Sequence, residues 1–423
     1  MNRPTVRDFS SISETPLRLN DSPHRRLGFD PLIPLLVIAL VGIGLMLIYS
    51  ADHAQESFIH IKRQAVLAAS GMLLLTLAAV IPPRIYYGLS YVLYGAAVVG
   101  LLLVLVAGTG ASGARRWLTL GSLNLQPAEP AKIAFILVTA RVLSARHSVD
   151  LPWRVVRNVV LLGIPPLILV VLQPDLGTAT VFPVVGAVML AWSGLPLRVF
   201  VTIFLPFISL FFLLCPWLLA PVVLAGVLWL NRVGAGRLLV ISVVLVCAGA
   251  AISGPVAWNQ LKPYQKKRLT TFLDPSADPL GAGYQIIQSQ VAIGSGGVTG
   301  RGYLQGTQTQ LRFLPQQHTD FIFSLAGEEF GFVGTSTIIF LYLMLGWRGF
   351  RAAAGSKNPF SGICAAGLTA FILYHATVNI GMTLGILPVT GLPAPFLSYG
   401  GSFLLTCLCA SGMIIAVTVR RRG

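Results

Sequence analysis

The 423-residue sequence has few charged residues and, in particular, few acidic ones. Charged residues make up 10% of the chain and hydrophobic residues 55%, whereas a soluble domain carries about 25% charged residues. This shortage excludes an ordinary soluble domain and predicts a membrane protein. The net charge of +16 does not indicate nucleic acid as a partner, because the basic residues form no continuous stripe and mostly flank apolar runs.

The sequence also lacks recognisable chemical motifs. Its five cysteines have no spacing typical of zinc or redox sites, so we interpret them as small apolar residues of a bundle. It contains no Gly-x-Ser-x-Gly elbow, no His-Glu-x-x-His and no Walker loop. Residues 1–30 lack the apolar core and cleavage site of a signal peptide, and they are predicted to be a disordered cytoplasmic tail.

Apolar runs are abundant instead. A membrane span needs about 20 mostly apolar residues, and twelve runs approach that length. The predicted spans are residues 31–50, 64–82, 86–107, 127–144, 157–173, 176–194, 198–214, 217–231, 238–258, 321–347, 361–383 and 403–419. We therefore predict an all-α polytopic membrane protein with a single transmembrane domain over residues 31–423.

The connections between spans predict the orientation. Lys and Arg concentrate in the segments that lie inside if both termini are cytoplasmic, which fits the positive-inside rule. Two outward-facing connections, 108–126 and 259–320, are nevertheless basic. The second is the longest break in the apolar pattern, and a loop of that length in a compact domain is usually functional.

Acidic residues are few enough to be considered one by one. Asp52 and Glu56 are predicted to be solvated in a short outer connection. A charge at membrane depth is costly and marks a partnered or functional site. Seven candidates lie at membrane depth or on the outer side: Glu129, Asp175, Asp274, Asp278, Asp320, Glu328 and Glu329.

Two of these candidates lie near the start of predicted spans. Glu129 and Lys132 are three residues apart on a helix and share a face. They form either a polar pair that lines a cavity or a structural ion pair, and the sequence favours neither. Asp175, between Pro174 and Gly177, is favoured as a helix N-cap or turn residue over a functional one.

Four further candidates have ordinary structural interpretations. Asp274 and Asp278 each precede proline, which is typical of turns. Glu328 and Glu329 are expected to be packing or network partners rather than catalysts.

Asp320 is the candidate with the strongest chemical interest. It follows His318 and Thr319 and directly precedes Phe321. Burial and a helix N-terminus have opposite effects on a carboxylate there, and a general base needs such tuning. An ordinary N-cap explains the position equally well, so both interpretations stay open.

Residues 294–302 contain five glycines. Their backbone amides could approach a phosphate, with Arg301 beside them. Mobile hinge glycines are the favoured interpretation.

Several ordered motifs from about residue 110 onward resemble the SEDS family of cell-wall polymerases. They are Gly113–Leu118, Gln126–Glu129 with Lys132, Gln173–Thr178, Asp278–Tyr284, Gln288–Ser289, Gly294–Gly297, Phe313–Pro315, His318–Phe323, Gly327–Glu329 and Leu397–Ser402. Gly306–Gln308 before Phe313–Pro315 is similar to the rod-shape branch, RodA.

The resemblance implies a SEDS-type helical bundle with one long extracytoplasmic loop, here 259–320. The family core has about ten spans, so the stretch from Pro216 to Arg237 is predicted to insert an extra pair. The implied activity is peptidoglycan glycosyl transfer during elongation and rod-shape maintenance: units carried on lipid II are joined and undecaprenyl diphosphate is released.

The resemblance also implies functional residues. It places the family's essential loop aspartate on Asp320, where a carboxylate can take the proton of the attacking sugar hydroxyl. A diphosphate leaving group needs positive charge from basic residues or from a divalent cation, Mg or Mn. The implied substrate-binding residues are Trp117, Arg115, Arg116, Glu129, Lys132, Asp278, Arg301, Arg312, His318 and Ser398.

The implied partners are lipid II, a class B penicillin-binding protein that cross-links the glycan, and other membrane proteins of the elongation complex. The implied location is the bacterial cytoplasmic membrane, with both termini in the cytoplasm. Two alternatives use the same features: a flippase that moves lipid II without chemistry, and a non-catalytic scaffold of the wall-synthesis complex. An enzyme is preferred, because a transporter has no evident need for a carboxylate at the outer mouth.

Overall fold

The computed structural model describes residues 30–109, 116–120, 123–145, 152–195, 283–311, 313 and 317–420, with isolated positions between 224 and 274. The predicted spans at 198–214, 217–231 and 238–258 lie almost wholly outside the described residues, as does the predicted inserted pair.

Nine of the twelve predicted spans are helices. They are α1 (Leu32–Gln55), α2 (Ile59–Val80), α3 (Pro83–Ala107), α4 (Ala128–Ser144), α5 (Pro152–Leu172), α6 (Leu176–Trp192), α9 (Ile322–Ala354), α10 (Pro359–Thr383) and α11 (Gly401–Val419). Seven of the described helices are long and apolar enough to cross a membrane, whereas α4 and α6 have 17 residues each. The predicted all-α polytopic membrane fold is confirmed.

The remaining described elements lie in the two basic outer connections. A hairpin of β1 (Leu118–Leu120) and β2 (Leu123–Leu125) pairs Leu118 with Leu125 between α3 and α4. A bridge from Thr109 to Trp117 ties the hairpin to the end of α3. The long loop contains α7 (Tyr284–Ser295) and the short α8 (Thr307–Gln310).

Local sequence explains where several helices begin. Proline at position 83 or 359 suits a first helical turn, whose amides have no intrahelical partner. Asn358 caps α10, because its Oδ1 accepts from the amide of Phe360 at 2.9 Å. Asp175 caps α6 in the same way, and its Oδ1 accepts from the amide of Thr178 at 3.2 Å.

Close helix packing builds the core. α2 lies against α11, where a Cβ atom on Gly412 would overlap the carbonyl oxygen of Leu75 and one on Gly71 would overlap Leu408. Small residues at such crossings let the two helix backbones approach closely. The resulting van der Waals packing drives helix association in lipid, where the hydrophobic effect contributes little. Fully buried Leu408 and Phe371 extend this core towards α10.

Arginines hold one end of the bundle. Arg348 contacts the carboxylate of Asp30 at 2.6 Å. Arg141 donates to the carbonyl of Tyr87 at 2.8 Å, and Arg420 donates to the carbonyl of Ile81 at 3.1 Å. These contacts occupy the helix ends that were predicted to face the cytoplasm.

Helix α9 is broken at Gly331, which has a φ of 63° and a ψ of −158°. The glycine-rich segment 296–302, called here the plug loop, lies in the break. Four backbone hydrogen bonds join loop and helix: Arg301 N to Glu328 O (3.0 Å), Gly302 N to Glu329 O (3.1 Å), Phe332 N to Gly297 O (2.9 Å) and Val333 N to Val298 O (3.0 Å). The loop therefore supplies partners that the helix cannot provide for itself at the break.

Close approach to α9 explains two of the four glycines of the plug loop. A Cβ atom on Gly296 would overlap the carbonyl oxygen of Gly327, and one on Gly300 (φ +85°) would overlap that of Glu329. The amides of Arg301 and Gly302 are already bonded to helix carbonyls. The loop is thus docked against α9, and this packing accounts for Gly296 and Gly300 without a phosphate site or a hinge.

We predict that Gly331→Ala destabilises the protein by about 1–3 kcal/mol or more. A Cβ atom at this position would overlap the amide nitrogen of Gly300. In addition, only glycine readily adopts the backbone conformation found there. Thermal unfolding in detergent measures the loss. Gly95→Ala in α3 is the matched control, since a Cβ atom there meets nothing within 4 Å. Equal midpoints for the two variants would contradict the prediction.

Candidate active site

A cavity of about 400 Å³ opens where four helices begin. The helices are α4, α6, α9 and α11, and their N-terminal ends favour negative charge. The lining residues are Arg116, Trp117, Gln126, Glu129, Asp175, Thr178, His318, Thr319, Asp320, Gly391, Pro393, Tyr399, Gly400 and Phe403. Residues from both basic outer connections therefore meet in one cavity.

Five of the residues predicted to act together line this cavity: Arg116, Trp117, Glu129, His318 and Asp320. Lys132 lies directly behind Glu129. Arg115, Asp278 and Arg312 lie outside the described residues.

The backbone before α9 is held in place by α10 and by the segment that precedes α11. Asn379 Nδ2 donates to the carbonyl of Asp320 at 2.9 Å. Ser398 Oγ donates to the carbonyl of Thr319 at 2.6 Å, and the amide of Tyr399 donates to the carbonyl of His318 at 2.8 Å. Ser398 thus holds this segment and does not itself line the cavity. All three bonds fix the main chain of residues 318–320, and Asp320 lines the cavity.

Asp320 lies just before α9, and the N-cap position itself belongs to Phe321, whose side chain makes no capping hydrogen bond. A Cβ atom added to Gly391, which has a φ of +76°, would lie 3.4 Å from Oδ2 of Asp320. The glycine therefore keeps space beside the carboxylate. Both interpretations of Asp320, helix cap and general base, stay predictions.

Glu129 and Lys132 combine the two roles that the sequence left open. Their charged atoms lie 2.9 Å apart and both side chains are buried, yet Glu129 also lines the cavity. Lys132 Nζ lies 3.2 Å from His375 Nε2 and over the rings of Phe371 and Phe403. Nothing in the sequence singles out His375, because most of its neighbours on α10 are apolar.

Asp175 is a helix cap, as predicted, and also part of the cavity wall. Its Oδ2 accepts from Thr178 Oγ1 at 3.0 Å and lies 3.9 Å from the guanidinium of Arg116. Arg116 also donates to the carbonyls of Gln173 and Pro174. These contacts fasten the hairpin to the start of α6 and commit part of the guanidinium's hydrogen-bonding capacity.

The prediction that Asp52 is solvated is wrong. Asp52 is fully buried at the end of α1. Its Oδ1 lies 2.8 Å from His60 Nδ1, and its Oδ2 accepts from the amide of Ile61 at 2.8 Å. The carboxylate therefore caps the start of α2. The sequence does not predict this contact, because the two residues are nine positions apart.

His60 stacks on His318, with ring centroids 4.4 Å apart and planes inclined by 29°. Tyr399 packs edge-on against His60 at 4.9 Å and against His318 at 5.8 Å. Burial and the neighbouring His60 hold the pKa of His318 below its ordinary value, against a smaller opposite effect of Asp52. His318 is consequently neutral at neutral pH.

Glu328 and Glu329 are network partners, as predicted. Glu328 accepts from the amides of Gln308 (2.7 Å) and Thr309 (3.1 Å) and so holds α8. Glu329 accepts from the amide of Leu304 at 3.3 Å and from the hydroxyl of Ser50.

Arg301 lies away from the cavity lining. Its guanidinium donates to the carbonyl of Ser295 at 3.2 Å and to Thr307 Oγ1 at 2.6 Å. Its predicted contact with substrate stays a prediction.

A divalent cation also stays a prediction. Among the described residues, no group of three or more His, Cys, Asp or Glu side chains could hold a metal ion. Glu129 and Asp175 are already engaged by Lys132 and by Thr178. These residues do not fit a resident metal, so we derive no step through one.

Comparisons with known proteins agree with this architecture. The FtsW, RodA and SpoVE family, described as cell cycle proteins, matches residues 31–227 and 217–423. The chain is 36% identical to the peptidoglycan glycosyltransferase MrdB of Escherichia coli K12, over 96% of this chain and 98% of the relative. It is 34% identical to the peptidoglycan glycosyltransferase RodA of Treponema pallidum, over 93% and 98%.

A solved structure is also similar. It is described as "Structural coordination of polymerization and crosslinking by a peptidoglycan synthase complex". Its TM-score is 0.71 at 31% identity, and the match covers 94% of this chain and 99% of the other.

We predict that Asn379→Leu loosens the segment that carries Asp320. The substitution removes the Asn379 donor from the half-buried carbonyl of Asp320 and from the buried carbonyl of Leu392, and the loss at a buried carbonyl costs about 1–3 kcal/mol. Thermal unfolding and hydrogen exchange of the 317–321 peptide measure the effect. Thr383→Val, one turn further along α10, is the control because its hydroxyl bonds only within its own helix. Unchanged exchange in Asn379→Leu would contradict the prediction.

Proposed function

This chain is a peptidoglycan glycosyltransferase of the FtsW, RodA and SpoVE family, and we propose that it polymerises lipid II with Asp320 as its general base. The observation that carries the assignment is the place of the Asp320 carboxylate. It lines a cavity and belongs to a segment whose main chain is held by three hydrogen bonds.

The base acts on the attacking sugar. A 4-hydroxyl becomes a competent nucleophile when a carboxylate within hydrogen-bond reach takes its proton as the new glycosidic bond forms. Asp320 suits this step because its backbone is fixed while its side chain faces the cavity. Trp117, which also lines the cavity, offers an apolar ring face against which a sugar can lie.

The leaving group is a diphosphate, and two features of the cavity can stabilise its negative charge. The N-termini of four helices converge there, and their dipoles favour an anion. Arg116 adds a full positive charge in the wall. Preorganised charge of this kind stabilises a developing anion without reorganisation during the reaction.

The membrane bundle suits a substrate on a polyprenyl tail. Many apolar side chains of α2, α3 and α5 face outward, for example Val66, Val80 and Val106, which are at least 70% exposed. A lipid-linked substrate can therefore keep its tail in an apolar phase while its head group enters the cavity, so the tail is not transferred into water.

We further propose that the chain works in cell elongation with a class B penicillin-binding protein. Support comes from the similar solved structure, whose description couples polymerization to crosslinking. The protein is multi-pass. Both termini are assigned to the cytoplasm, and the arginines at the helix ends away from the cavity agree with the positive-inside rule.

We predict that Asp320→Asn lowers the rate of glycan formation from lipid II at least about 100-fold, because the amide keeps the shape of the side chain but accepts no proton. The measurement is polymerisation in detergent by the purified chain with its penicillin-binding partner. Glu56→Gln is the control, since this exposed carboxylate lies at the end of α1 outside the cavity lining.

Undiminished glycan product from Asp320→Asn would reject the general-base assignment. Lipid II that crosses vesicle membranes but is not polymerised by the wild-type complex would instead support a flippase.

A further inference from the structure

The stacked pair of His60 and His318 lies outside the mechanism described so far. One ring, His318, lines the cavity two residues before Asp320. The other lies behind it, with 27% of its side chain exposed. Asp52 holds the second ring through Nδ1 at 2.8 Å. Three side chains from α1, α2 and the segment before α9 therefore form one connected group.

The buried carboxylate of Asp52 holds His60 in a defined orientation. Asp52 is completely buried, and both of its oxygens are used, one by His60 and one by the amide of Ile61. A buried carboxylate fixes the orientation of the imidazole that it contacts, and it stabilises positive charge on the adjoining rings. Tyr399 closes the edge of both rings.

His318 has unused hydrogen-bonding capacity. Its Nδ1 is buried and has no hydrogen-bond partner among the described residues. Its pKa lies below the ordinary value, chiefly because of burial and then because of His60. The ring therefore rests in the neutral form, and an anion placed beside it would favour the protonated form.

A diphosphate that enters the cavity lies among more acidic than basic side chains, so a positive charge gained by His318 would favour its binding. Three carboxylates line the cavity, Glu129, Asp175 and Asp320, whereas Arg116 is the only Lys or Arg among the described lining residues. Arg116 is partly committed to Asp175, and Lys132 behind the wall is paired with Glu129. Histidine is the side chain that gains a charge near neutral pH.

We propose that His60 and His318, oriented by Asp52, form a subsite for the diphosphate group of a polyprenyl-linked ligand, and that binding is coupled to uptake of one proton from solvent onto the stacked imidazoles. The proton is released when the diphosphate leaves. The identity of the ligand rests on the proposed function. The coupling of its binding to proton uptake rests on the stacked rings of His60 and His318.

Calorimetric titration of the purified full-length chain in detergent tests this subsite, with geranyl diphosphate and inorganic pyrophosphate as probes. We expect wild type to bind geranyl diphosphate about tenfold more tightly near pH 6 than near pH 8. Buffers of different ionisation enthalpy should report uptake of about one proton. Similar proton uptake with pyrophosphate would show that the subsite senses the diphosphate itself, whereas uptake with the prenyl probe alone would show that it requires the lipid-linked form.

Variants separate the stack from the ligand's own ionisation, which all variants share. His318→Phe keeps a ring against His60, and His318→Gln keeps a polar group. We expect both to lose the proton uptake and most of the pH dependence. His53→Phe is the matched control, because His53 is an exposed histidine in the last turn of α1 outside the stack. Thermal unfolding confirms that each variant is folded.

Asp320→Asn distinguishes this inference from the proposed function. It should lose polymerisation yet keep the proton uptake on diphosphate binding, which also shows that the proton is not on Asp320. If Asp320→Asn polymerises normally, the general-base assignment fails and the subsite can still stand. Absence of proton uptake in wild type, or equal uptake in wild type and His318→Phe, would overturn the subsite.

Discussion

This structure depends on one constraint: the polar backbone groups of a helix inside a bilayer must have hydrogen-bond partners within the protein. A broken helix is tolerated at membrane depth only where other protein groups replace its missing partners. The break at Gly331 meets this condition because the plug loop pairs with carbonyls before it and amides after it. The same contacts tether the long outer loop to α9, whose first residues directly follow Asp320.

Main-chain groups and side chains hold different parts of the structure in place. The segment 318–320, which carries Asp320, is fixed through its carbonyls, to Asn379, Ser398 and Tyr399. Carboxylate side chains hold two helix starts, because Asp52 caps α2 and Asp175 caps α6. The structural roles of Asp52 and Asp175 therefore follow from the bonds that their oxygens make, not from their residue type alone.

Sequence was sufficient for the features that follow from hydrophobicity. Nine predicted spans are helices, since long apolar runs leave few other structures. The sequence was insufficient for features that depend on tertiary contacts. Three-residue strands such as β1 have no periodic pattern to detect. Asp52 is predicted to be solvated from its place in a short connection, whereas the fold buries it against His60. Nothing in the sequence predicts that contact, because it depends on how α1 and α2 pack.

The plug loop has a consequence for biosynthesis. Residues 296–302 precede α9 in the chain, so the segment that completes the broken helix leaves the ribosome before the helix itself. When residues 322–354 enter the membrane, the partners for the carbonyls of Glu328 and Glu329 already exist on the same chain. The order of synthesis thus matches the order in which the bonds are needed, and a permuted gene that placed α9 first would expose the break during insertion.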